Sequence, residues 1–153
     1  MDIAKYLMPK GFRPLGIALL VTGIVLSVLK YYFNLKPDVL ELKVFAFYSF
    51  YIESKKFSMI THQMLGEIAG LLLLGGLFLI AFTKEKEESE FIDRLRLKAF
   101  LFAGYLNLFY LIISILFFFG FGFVGALTLF SVVWLATYLV IFRITLMRSK
   151  RVA

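Results

Sequence analysis

Of the polar side chains that stand inside otherwise apolar runs of this chain, four rank first as functional candidates: Glu67, Asn107, Ser114 and Ser131. A bilayer tolerates such groups poorly, so they are the residues that could form an ion path, a proton relay or a buried hydrogen-bond network. Counting about 1.5 Å per helical residue from the ends of the apolar runs puts Glu67 and Ser114 at similar depth, with Ser131 slightly deeper and Asn107 near the midplane. The expectation is a small polar cluster, with Glu67 facing the bundle interior, neutral or hydrogen-bonded, beside Ser114 or a polar residue of the first run. Conventional catalysis finds less support. The one histidine, His62, sits at the edge of an apolar run, so a multi-histidine metal site and a Ser-His-Asp triad built on a second histidine are both excluded. The chain has no cysteine, which removes disulfides, thiolate ligands and cysteine nucleophiles. With no glycine-rich phosphate loop either, no catalytic residue, cofactor or metal is expected.

A second group of side chains is basic. Arg143, Arg148, Lys150 and Arg151 follow the last apolar run, where they would meet anionic headgroups at about 1 kcal/mol per basic residue near the surface. Arg94, Arg96 and Lys98 are interleaved with carboxylates and suit either lipid headgroups or a docking protein. The net charge of +7 is spread over the ends of apolar runs and is not gathered on one face, which argues against nucleic acid.

The elements that position these groups follow from composition. Of 153 residues, 61% are hydrophobic and 18% aromatic, and mean hydropathy is +0.90, too apolar for a soluble domain of this size to cover. A bilayer is the natural solvent, and a span takes about 20 residues. Residues 1–13 resemble the start of a secretory signal. The apolar run 15–33 is longer than a signal's core, though, and reads as a retained first span. Residues 64–82 form a second span, carrying Gly66 and Gly70 at small-xxx-small spacing and the pair Gly75 and Gly76. Residues 99–142 carry no charge; as one helix they would reach about 66 Å, so they must fold back. Gly120 and Gly122 mark the turn, giving spans 99–119 and 123–142.

Between the first two spans, residues 44–52 are uncharged, aromatic and β-branched but too short to cross. With residues 57–61 returning after a polar turn at 53–56, they predict an extracytoplasmic β-hairpin within the segment 34–63. The alternative is an amphipathic helix lying in the interface. Residues 83–98 form a charged elbow, in which Glu90 and Arg94 lie four apart in the order that supports a helix running into the third span.

Orientation follows from Lys and Arg. Lys5, Lys10, Arg13, Lys84, Lys86, Arg94, Arg96, Lys98, Arg143, Arg148, Lys150 and Arg151 fall on one side, against Lys30, Lys36, Lys43, Lys55 and Lys56 on the other. The positive-inside rule then places both termini and the elbow in the cytoplasm. The fold class is an all-α membrane protein, a single membrane domain over 1–153 built as a four-transmembrane-helix bundle with a small outer hairpin.

A span ending Leu79-Ile-Ala-Phe-Thr83, the elbow Lys84-Glu-Lys-Glu-Glu-Ser-Glu-Phe-Ile-Asp-Arg-Leu-Arg-Leu97, a span with Asn107 and a last span ending Phe142-Arg143 resemble an uncharacterised family of small four-span bacterial inner-membrane proteins. The resemblance covers residues 67–143 and implies topology and a bacterial cytoplasmic membrane, with no activity attached. The expected function is a non-enzymatic accessory or regulatory subunit that contacts a larger membrane partner. The alternatives are a homo-oligomeric transporter or channel with Glu67 near the pathway and, less favoured, a lipid-modifying enzyme.

Overall fold

A computed structural model describes residues 3–35, 37–50, 54–85 and 88–152. Four helices, α1 (Phe12–Tyr31), α2 (Leu65–Ala81), α3 (Glu90–Phe117) and α4 (Phe121–Val152), are joined by a β-hairpin between α1 and α2, made of β1 (Glu41–Phe50) and β2 (Ser54–Gln63). Three helices are long and apolar enough to cross a membrane: α1, α3 and residues 122–149 of α4. The fourth, α2, has 17 residues and spans about 25 Å, short of a typical hydrocarbon core. Large apolar side chains on the outward faces of α1 and α3, among them Val21, Val25, Leu101, Tyr105 and Phe109, are half or more exposed, an apolar surface of the kind a bilayer covers.

The helices pair as α1 with α2 and α3 with α4, and α2 meets α4. Glycines bring the first pair together. A Cβ on Gly76 would lie 2.5 Å from the backbone N of Leu20, and one on Gly23 would lie 2.8 Å from that of Leu73, so the two backbones touch. Gly70 and Gly75 face open space instead. The expected close approach is therefore made by Gly16, Gly23 and Gly76, and not by the Gly66/Gly70 spacing.

Ser89 caps α3, its hydroxyl accepting from the Ile92 N–H at 3.4 Å, and Glu90 and Asp93 place negative charge in the first turn, where the helix dipole favours it. The elbow's second half is thus the start of α3 itself, the helix running into the third apolar run that the Glu90 and Arg94 spacing predicts. The turn to α4 occurs at residues 118–120, with Gly120 in the left-handed conformation.

The interfacial-helix alternative is overturned. β1 and β2 pair antiparallel in one constant register, from Glu41 opposite Gln63 to Phe50 opposite Ser54. The strands start and end beyond the apolar run, taking in Glu41 to Lys43 and Ser54 to Lys56, while the tip at 51–53, including Glu53, lies outside the described residues. A hairpin of this kind is marginal alone, and its base is fastened. Met64 N–H donates to Leu40 C=O at 3.0 Å, and the Gln63 side chain donates to Pro37 C=O at 2.9 Å while accepting from Leu65 N–H at 3.0 Å. Only Met64 separates β2 from α2, so the hairpin base is joined directly to the helix.

The main buried cluster lies at the opposite end, where Ala81 of α2 packs on Ile92, Ala99 and Ala103 of α3 and Tyr138, Phe142 and Leu146 of α4. This junction end and the hairpin end are the two poles of the molecule.

Candidate functional site: the charged junction

At the junction end the chain segment ahead of α1 runs beside the start of the elbow. Met8 N–H donates to Phe82 C=O at 2.8 Å and Lys84 N–H to Met8 C=O at 3.0 Å, forming a parallel bridge between Met8 and Thr83. The pairing delivers Glu85 between two helices. Its carboxylate accepts from Arg13 of α1 at 3.1 Å through one oxygen and from Arg143 of α4 at 3.0 Å through the other. Glu88 accepts from the Glu85 N–H at 2.6 Å and takes Arg96 of α3 through both oxygens, at 2.9 and 3.1 Å. The Arg96 guanidinium lies 5.4 Å from the centre of the Phe142 ring, and that of Arg143 lies 6.0 Å from it. Arg96 is 4% exposed and Asp93 8%. Fixed forks of this type bind carboxylates in one geometry, so the junction ties α1, the elbow, α3 and α4 into one unit.

These placements correct the expectation for Arg96: it is enclosed and paired, and offers nothing to lipid or to a docking protein. Arg143 is half-buried and engaged with Glu85. Arg94, Lys98 and Arg148 are exposed, Arg94 meeting Glu90 at 3.5 Å. Lys150 and Arg151 lie on the last turn of α4, and their side chains are outside the described ones, as are Lys86 and Glu87 of the elbow.

The expected intramembrane cluster does not form. Glu67 is exposed and lies on the first turn of α2, where His62 Nε2 donates to its Oε1 at 2.8 Å, clipping β2 to the helix. Ser114 is fully buried on α3 and its hydroxyl donates to the Tyr110 carbonyl of its own helix at 2.8 Å. Asn107 is buried, its Oδ1 without a hydrogen bond among the described residues, and Ser131 is exposed. Glu67 and Ser114 belong to separate helix pairs, and α2 reaches the second pair at Ala81 and Phe82, far from Glu67. Among the described residues no three His, Asp or Glu side chains gather into a group that could hold a metal.

Arg13, Glu85 and Glu88 were not singled out from the sequence. The signal was present in the topology: Arg13, Glu85 and Arg143 each stand at the same-side end of an apolar run, so a fold that brings the runs together brings these charges together.

The fold and junction define a class, a small helical protein with three helices long and apolar enough to cross a membrane, a charged lock at one pole and a β-hairpin at the other. Compared with family models, curated proteins and solved structures, the chain finds no match, and the resemblance drawn from residues 67–143 rests on those residues alone.

Proposed function

We propose that all four helices cross a bacterial cytoplasmic membrane with the junction and both termini inside, and that the protein is a non-enzymatic accessory or regulatory subunit. Its hairpin contacts a larger membrane partner on the outer side. The observation that carries this reading is the hairpin: among the described residues its sheet has two strands of ten residues, so each strand has an edge free to pair. A strand edge of that length is a template for strand addition. The Lys and Arg distribution supports the orientation. The transporter reading loses its motivation, because Glu67 lies at the hairpin base and is tied to His62.

Purification of the full chain from its source cells in mild detergent, followed by mass analysis, tests the proposal. The expected result is a complex with a second protein species. Successive strand residues direct their N–H groups to opposite sides, so of Val44→Pro and Phe45→Pro one removes a donor from the outer edge and spares the internal ladder. That variant should lose the partner and keep the fold. A stable preparation containing no other protein species would overturn the reading.

A further inference from the structure

The hairpin end of α1 carries two adjoining cavities. One, of about 380 Å³, is lined by Lys30, Tyr31, Asn34, Leu35, His62 and Gln63. The other, of about 370 Å³, runs along α1 past Ser27, Val28, Tyr31 and Tyr32. Tyr31 is the wall they share. The first has a mostly apolar wall on which Lys30, Asn34, His62 and Gln63 place polar groups. Lys30 and Asn34 lie four residues apart at the helix end, and Asn34 takes the left-handed conformation that turns the chain towards the hairpin. The Lys30 ammonium rests 5.7 Å from the centre of the Tyr31 ring and against Gly66, where any Cβ would collide with it, so glycine at 66 makes room for the cation. The Gln63 side chain is spent, its nitrogen on Pro37 and its oxygen on Leu65, and the Glu67 carboxylate is engaged by His62. Lys30 also lies within electrostatic reach of the Glu67 carboxylate, but its ammonium and the Asn34 amide face the recess, and a cation with an amide suits an anion.

The second is a shallow surface formed by the apolar parts of Val28, Tyr31 and Tyr32, and lies about one turn nearer the middle of α1. Tyr31, Tyr32 and Phe33 around it are 62% to 82% exposed, the aromatic girdle expected where a span meets headgroups. A recess holding a cation at the helix end, sharing Tyr31 with a shallow apolar surface along the span, matches the two ends of an amphiphile. We propose that this site holds one anionic phospholipid, its phosphate at Lys30 and Asn34 and an acyl chain along Val28 and Tyr31. The shared chemistry is a phosphate ester, which a soluble phosphate could also supply.

Native mass spectrometry of the full chain in detergent separates the sources, using phosphatidylglycerol, phosphatidylcholine and glycerol 3-phosphate as probes. Phosphatidylglycerol should be retained at one per chain and the other two should bind at least about tenfold more weakly, the effect of about one charge-assisted hydrogen bond or one buried chain segment. Lys30→Gln removes the cation and Val28→Trp, at an exposed position, covers the apolar surface. Each should weaken phosphatidylglycerol retention about tenfold while leaving the elution profile of the folded protein unchanged. Equal retention by the wild type and both variants would overturn the site. Glycerol 3-phosphate binding as tightly as the lipid would overturn the lipid as occupant.

Discussion

Arg96 holds a full charge at 4% exposure, and its neighbours explain how: a bidentate carboxylate on one side and the face of Phe142 on the other. Removing one member of such a pair leaves an uncompensated charge, at a cost of about 3 kcal/mol or more. Glu88→Ala should therefore lower the thermal unfolding temperature in detergent substantially, and Glu88→Leu combined with Arg96→Met should recover most of the loss. A single variant that melts with the wild type would show that Glu88 is dispensable. The enclosure of Arg96 was legible in periodicity. Ile92, Arg96, Ala99, Ala103 and Asn107 recur at three- and four-residue steps along the buried stripe of α3, whereas Arg94 and Lys98 fall off it. Residue type concealed the pattern, because a basic residue beside an apolar run ordinarily faces headgroups. Glu67 failed for a different reason. Depth along a helix says nothing of which neighbour reaches a first-turn side chain, and here the preceding strand reaches it through His62.

The contact between α1 and α2 depends on the absence of side chains at Gly16, Gly23 and Gly76. With backbone atoms of Leu20 and Gly16 inside 3 Å of a Cβ at 76, nothing flexible can yield, and overpacking of this kind costs about 1 to 3 kcal/mol. Gly76→Ala should destabilise the protein by that amount in detergent melts, while Gly75→Ala, which faces open space, should not. Equal effects at the two positions would argue against backbone contact. Sequence showed that glycines would permit close approach but not which of them, since adjacent glycines on a helix point about 100° apart and the partner's position was not fixed. The hairpin was legible because nine uncharged residues cannot cross a bilayer. Its strand ends were not, since ladder pairing extends into polar residues that hydropathy assigns to turns.

Two helix pairs joined at one pole make a molecule whose stiffness is uneven along its length. Glu85→Ala would release Arg13 and Arg143 together and should raise amide exchange around residues 79–84 and 138–143 while leaving 60–68 at the hairpin base unchanged. A uniform rise across the chain would mean that Glu85 supports global stability and does not act as a local tie. The expected polar cluster required α2 to face α3 near the hairpin. The pairing order, with α2 on α4 at the junction, was beyond what hydropathy and charge could decide. The double grip on Glu85 also bears on how the chain is made. Arg13 is synthesised first, Glu85 second and Arg143 some sixty residues after it. A nascent chain can close half the lock early, but the second arginine arrives only once the last helix has emerged. Until Arg143 and the Tyr138–Phe142 face of the last helix have emerged, neither the second half of the lock nor the apolar contacts of Ala81 and Phe82 that join the two pairs can form.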